Sequence, residues 1–234
     1  GIMQPYFFPY LGYISLIKHT DQFILLDTVQ YITKGWIERN RMLKQNEGWL
    51  YIQVPLKKEN GRSTLIKDCL LDNSKPWKDK ILGHLVIYKK IAPNYFKIRD
   101  LLKEIFSRNF EDITSLNQHT LTKICDYLDM PKEISIFSEM KLQIDAPQDS
   151  DEWSLNICKS IGSKMTYINP VGGQSFFNKS KFKEADINMY FHSFNLSSYP
   201  QGNREFEPAL SILDALMFNS NEEIHGMLDR YDLI

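Results

Sequence analysis

Three cysteines in 234 residues, Cys69, Cys125 and Cys158, leave little room for thiol chemistry. They are far apart, odd in number and part of no CxxC or Cys/His grouping, which excludes a disulfide framework and a zinc site of that type. They read as buried, apolar-like residues in a reducing cytoplasm, the expected compartment. Charge of one sign is also lacking: 28 basic side chains face 29 acidic ones, a net charge of −1. A protein driven onto phosphate backbones carries a basic excess or stripe, so nucleic acid is not an expected partner. No run of about 18 apolar residues occurs, so no membrane span is expected. The opening Gly1-Ile2-Met3-Gln4-Pro5 lacks the basic-then-apolar layout of a secretion leader. Internal repeats and low-complexity linkers are absent. The five histidines (His19, His84, His119, His192 and His225) form no HxxxH or HxH pair, and neither GxGxxG nor a Walker A motif is present. Neither a metal nor a cofactor is expected.

What is present is a globular composition, 43% hydrophobic and 24% charged, with 13% aromatic residues concentrated near the N-terminus. Gly1 to Met3 reads as a short strand, followed by an aromatic loop from Gln4 to Tyr10 in which Pro5 and Pro9 forbid regular structure. Leu11 to His19 reads as a helix. Phe23 to Leu26 is a continuous apolar run of the kind found in strands covered on both faces. Strand, helix and strand in that order predict a βαβ unit with a parallel pair.

Farther along, Arg39 to Lys44 and Trp49 to Val54 read as a hairpin, and Ser63 to Leu71 as another strand. Pro76 to Lys90 reads as one helix, followed by helical stripes through Ile98–Phe106 and Ile113–Leu128. A helix over 151–161 ended by Gly162, strands over 165–168 and 187–194, and helices over 207–219 and 221–230 complete the pattern. The expected fold is α/β: a Rossmann-like, mixed and partly parallel sheet flanked by helices. One domain is expected over 1–234, with a helical insert or lobe at about 74–130 and a weak boundary near 147–150.

Three segments carry ligand chemistry. In the first, Gln4, Pro5, Tyr6, Tyr10, Gly12 and Tyr13 surround a helix N-terminus, whose free amides favour anions, at the carboxyl end of a strand, where ligands of open α/β sheets bind. A plug of core aromatics is the competing reading, strongest for Phe7 and Phe8. The second runs from Asp27 to Arg41. Asp27 suits a sugar hydroxyl, an amine or a proton; Lys34, Arg39 and Arg41 suit phosphates; Tyr31 and Trp36 offer flat faces, and Gln30 and Asn40 amides. The third, Tyr167 to Ser175, runs a strand into Asn169, Gly172 and Gly173, which present backbone groups to an anion or form a plain turn. His192, on a late strand, is the best histidine for a general base.

Met3-Gln4-Pro5-Tyr6-Phe7-Phe8-Pro9-Tyr10-Leu11-Gly12-Tyr13 resembles the opening signature of the WbqC-like family. Asp27 to Arg41, Tyr167 to Gly173, Tyr199-Pro200-Gln201 and Leu210 to Asp214 are similar to later stretches of it. The resemblance covers essentially the whole chain and adds Tyr199 and Gln201 to the candidate binding residues. It implies a place in O-antigen or other surface-polysaccharide biosynthesis, as a transferase of an aminoacyl group, for example glycyl, from an activated amino acid to a nucleotide-linked amino sugar. Such a reaction needs a base, for which Asp27 and His192 are candidates. It also needs an oxyanion donor near Gly12 or Gly172, and a diphosphate clamp from Lys34, Arg39 and Arg41. Two alternatives stay open. One is a non-catalytic protein that binds a sugar or lipid intermediate. The other is a nucleotidylyltransferase-like enzyme, since Phe8 to Tyr13 looks like the phosphate-binding loop of those enzymes without its histidines.

Overall fold

The computed structural model describes residues 1–57, 63–162 and 164–234. In chain order, its first part holds β1 (Ile2–Met3), α1 (Leu11–Lys18), β2 (Phe23–Leu25), β3 (Arg39–Leu43) and β4 (Trp49–Gln53). A helical stretch follows, with α2 (Trp77–His84), α3 (Tyr95–Ser107) and α4 (Ile113–Tyr127), then β5 (Ile134–Ile136). The last part holds α5 (Glu152–Ile161), β6 (Thr166–Pro170), α6 (Lys179–Glu184), β7 (Asn188–Phe194), α7 (Ile212–Phe218), α8 (Asn221–Leu228) and β8 (Tyr231–Leu233).

The short apolar strands pair in parallel, β1 with β2 and β2 with β5, in the order β1-β2-β5. All three residues of β2 are buried, as the apolar run demands of a strand covered on both faces. A second sheet runs β6-β7-β8, with β6 parallel and β8 antiparallel to β7, and β6 lies against β1. The hairpin β3-β4 stands apart, in the register Arg41↔Tyr51. The arrangement is the mixed, partly parallel α/β fold flanked by helices. Every residue from Leu11 to Ile17 is buried, so α1 is an interior helix, packed on α7, α8, β6 and β7. One apolar core joins α1, the hairpin, α2–α4, α7 and α8. A smaller one joins Ile2, Ile24, α5, Phe182 and the inner faces of β6 and β7. No helix among the described residues is long and apolar enough to cross a membrane.

Three sequence expectations need correction. Ser63 to Leu71 is not a strand: it makes isolated bridges at Leu65, Leu70 and Leu71 around a 3₁₀ turn at Ile66–Asp68. Its Ile66 and Lys67 amides bond instead to the carbonyls of Val29 and Asp27. The helix expected over 76–90 stops at His84 and tightens to 3₁₀ over Leu85–Lys90. Three residues per turn place Leu85 and Tyr88 on one buried face, and the tyrosine then reaches Asp214. The helix expected from 207 begins at Ile212, because Ala209 takes a left-handed φ of 52° and Ser211 caps α7. The short elements β5, α6 and β8 were not anticipated.

Candidate functional site

A cavity of about 730 Å³ opens beyond the carboxyl ends of β1 and β6, where α1 begins, a volume ordinary for a metabolite site. One wall is the segment after β1 with the first turn of α1: Gln4, Tyr6, Pro9, Tyr10, Gly12 and Tyr13. Ile32, Trp36, Asn40 and Arg41 make a second wall. The end of β6 and the turn after it give Asn169, Gly172, Gly173, Phe176 and Phe177. Trp153, His192, Phe194 and Ala209 also line the cavity.

The structure thus brings to one cavity twelve of the expected site residues: Gln4, Tyr6, Tyr10, Gly12, Tyr13, Trp36, Asn40, Arg41, Asn169, Gly172, Gly173 and His192. The others lie elsewhere. Asp27, 1% exposed, accepts hydrogen bonds from the Ser138 amide at 3.0 Å and hydroxyl at 2.5 Å, so its carboxylate caps the turn after β5. Pro5 lends its carbonyl to Asn117, and Gln30 bridges Leu65. Tyr31 is turned toward the buried Glu38; burial first and that carboxylate second push its pKa up. Arg39 lies 4.0 Å over the Tyr51 ring and donates back to the carbonyls of Gly35 and Lys34. Tyr199 and Gln201 both donate to the buried Asp214.

Of the three cations expected to grip a diphosphate, only Arg41 reaches the cavity. It is the one permanently charged side chain among the described residues lining it, and no carboxylate lines it. The guanidinium carbon lies 5.1 Å from the Trp49 ring and 5.5 Å from the Trp36 ring. Nη2 donates to the Ala209 carbonyl at 3.0 Å, while Nε is buried without a partner. An unmet charged donor costs more than a neutral one. The backbone is equally fixed: Asn40 Oδ1 accepts from the Arg41 amide at 2.8 Å, and its Nδ2 donates to the Phe7 carbonyl at 3.1 Å.

The tyrosines bring neutral donors. Tyr13 spends its hydroxyl on the Gln4 carbonyl at 2.8 Å. Burial pushes the pKa of Tyr6 and Tyr10 up, with Tyr10 adding to the effect on Tyr6, so both stay protonated at working pH. Gly12 is required by this packing, since a Cβ there would fall inside the Tyr10 ring and hydroxyl. A Cβ on Gly173 would likewise meet the Asn169 amide nitrogen, whose oxygen accepts from Tyr167 at 2.9 Å. Gly12→Ala is therefore expected to swing Tyr10 out of the cavity. Because alanine suits a helix better by up to ~1 kcal/mol, stability should hold or rise while ligand affinity falls. An unchanged dissociation constant would remove Tyr10 from the ligand's surroundings.

His192 is 3% exposed and stacked on Tyr231, with Nε2 3.0 Å from Ser15 Oγ. Ser15 gives its own proton to the Leu228 carbonyl at 2.6 Å, so Nε2 carries the hydrogen and Nδ1 the lone pair. Ser15 is 0% exposed and does not line the cavity, so this pair is no serine–histidine nucleophile. Burial, then the nearby His19, push the His192 pKa down to about 4. It is unprotonated at neutral pH but a weak proton acceptor. Between about 4 and the ordinary 6.5 the unfolded chain binds the proton that the folded one refuses. Stability contributed by neutral His192 is thus full above pH 6.5 and lost as pH falls toward 4. The urea midpoint of His192→Gln should fall less between pH 7 and 5 than that of the parent; parallel falls would refute the assignment.

Burial likewise pushes the thiols up, Cys69 and Cys158 to about 11 and Cys125 to about 12, and leaves them unreactive.

Sequence reasoning missed Trp153, Phe176, Phe177, Phe194 and Ala209. Phe194 had a usable signal: it lies two residues beyond His192 on one strand and therefore shares its face.

The sequence model of the family described as "WbqC-like protein family" matches residues 4–226. The chain is also 28% identical over 225 residues to "Uncharacterized protein Rv1507c" of Mycobacterium tuberculosis (strain ATCC 25618 / H37Rv), covering 95% of this chain and 94% of that protein. No solved structure gives a significant match.

Proposed function

We propose that this chain, which belongs to the WbqC-like protein family, is a cytoplasmic transferase of surface-polysaccharide biosynthesis that places an aminoacyl group, glycyl in the simplest case, on a nucleotide-linked amino sugar. The observation that carries this reading is the lone Arg41 guanidinium in the wall of an otherwise uncharged, aromatic cavity. A nucleotide sugar has the matching chemistry, with phosphate oxygens for the guanidinium and flat rings for Trp36, Tyr6 and Phe176. In the transfer, the sugar amine attacks the acyl carbon and a C–N bond forms. The bond to the leaving oxygen or sulfur breaks, and the amine gives up a proton. Tyr6 and Tyr10 would donate hydrogen bonds to the developing oxyanion. His192, unprotonated at neutral pH, would take the proton.

Two observations favour a second reading, a non-catalytic binding protein of the same pathway. Asp27 is spent on Ser138, and His192 is a weak base.

Thermal-shift measurements with nucleoside diphosphates and their parent nucleosides test the binding. At about one hundred times its dissociation constant, a ligand adds ~2.7 kcal/mol, or about 5–10 °C here. A shift with a diphosphate but not its nucleoside supports the anion site, and no shift with any rejects it. With the amino-sugar nucleotide and an activated amino acid, mass spectrometry should find an aminoacyl sugar. Binding without that product selects the second reading.

A further inference from the structure

A buried carboxylate that never reaches the cavity calls for an explanation. Asp214, in the first turn of α7, is 0% exposed and accepts three hydrogen bonds, from the hydroxyls of Tyr88 and Tyr199 at 2.7 Å and from Gln201 Nε2 at 2.6 Å. An apolar residue of similar size is usually the cheaper way to fill such a space, because a buried charge loses its hydration. Two of the three donors share a second property: Tyr88 and Gln201 also lead to Arg41. Tyr88 Oη accepts from the Leu43 amide at 3.1 Å, two residues past Arg41 on β3. Gln201 holds Glu207 at both backbone groups, accepting from its amide at 2.7 Å and donating to its carbonyl at 3.1 Å. Two residues farther on, Ala209 takes its left-handed turn and offers the carbonyl that receives Arg41 Nη2. The Ser211 amide then donates to the Arg41 carbonyl, and the Ile212 amide to that of Pro9, each at 2.8 Å.

We propose that Asp214 is the positioning residue of the anion subsite: it organises residues 199–212 into a latch that fixes the Arg41 guanidinium in the cavity wall. Its carboxylate acts wholly through Tyr88, Tyr199, Gln201 and the Ala209 carbonyl. The inference deepens the reading of Arg41 as the anion binder and rests on it only for the affinity arm of the test.

The experiment reads the latch with and without a ligand. In unliganded protein, the Arg41 Nε–H resonance, identified by its loss in Arg41→Lys, should exchange slowly with water. Asp214→Asn keeps the shape but turns a donor toward at least one of the three donors. It should speed that exchange about tenfold or more, while amides of β2 and α4 keep their protection. Inorganic pyrophosphate, the anion common to nucleoside diphosphates, should bind Asp214→Asn about tenfold more weakly and add no further loss in Arg41→Lys. If Asp214→Asn does not fold, Tyr199→Phe removes a single donor and is read in the same way. A folded variant with an unchanged Arg41 resonance overturns the latch. Pyrophosphate that fails to bind even the parent protein overturns the anion-site reading, while the resonance still decides the latch.

Discussion

Arg41→Ala is expected to weaken binding of a nucleoside diphosphate by about 100-fold while leaving the parent nucleoside within about threefold. Removing one partner of a desolvated, hydrogen-bonded charge pair costs ~2–5 kcal/mol, and ~2.7 kcal/mol is a factor of about 100. No other cation among the described residues lines the cavity to take over the charge. Arg41→Lys should fall between, at about tenfold. It keeps the positive charge but loses the planar fork, the bond to Ala209 and the stacking between Trp36 and Trp49. Stability should change little, since the truncation removes one good hydrogen bond together with one unmet donor. Calorimetric titration of both ligands against the three proteins checks this. Equal losses for nucleoside and diphosphate would make Arg41 a packing residue and remove the observation on which the proposed function stands.

The contrast between Arg41 and its neighbours shows where the sequence was readable. The continuous apolar run of β2 and the stripes of α3 and α4 were legible because burial on a fixed period is written directly in residue order. The meeting of the aromatic loop after β1 with the segment after β2 was also legible, because parallel strands put their following loops on one side of a sheet. What residue order does not encode is where a long side chain ends. Lys34, Arg39 and Arg41 look equivalent as a string of cations. In the fold, Arg39 turns back onto Gly35 and Tyr51, and Lys34 is exposed in a left-handed turn at φ 63°. Arg41 differs by where it ends, near the Trp36 and Trp49 rings with the Ala209 carbonyl to receive Nη2. Asp27 likewise looked free because its partner, Ser138, is 111 residues away and follows β5, a three-residue strand too short to leave a periodic signal. Tyr199 and Gln201, binding candidates by family resemblance, lie behind the cavity wall, on Asp214.

Phe7→Ala is the substitution expected to cost most in stability, because the aromatic segment after β1 divides its residues between two tasks. Tyr6 and Tyr10 line the cavity, while Phe7 and Phe8 are 0% exposed in the larger core. Their rings meet edge to face at 4.6 Å, and Phe8 meets Phe106 of α3 at 6.2 Å. Phe8 reaches that position from a left-handed backbone at φ 42°, a conformation a bulky residue keeps only when its surroundings hold it there. The Phe7 backbone is tied to the opposite wall, its amide donating to the Trp36 carbonyl at 2.9 Å and its carbonyl accepting from Asn40. Truncating the ring leaves a void under both walls, and phenylalanine-to-alanine changes in cores cost ~3–5 kcal/mol. At roughly 2–4 °C per kcal/mol for a chain of this size, Tm should fall by about 6–20 °C. Tyr6→Phe removes only a hydroxyl facing the cavity, so its Tm should stay within about 2 °C of the parent while its ligand affinity drops. Calorimetric scans of the two variants side by side test this division of labour. It fails if Tyr6→Phe lowers Tm as much as Phe7→Ala does.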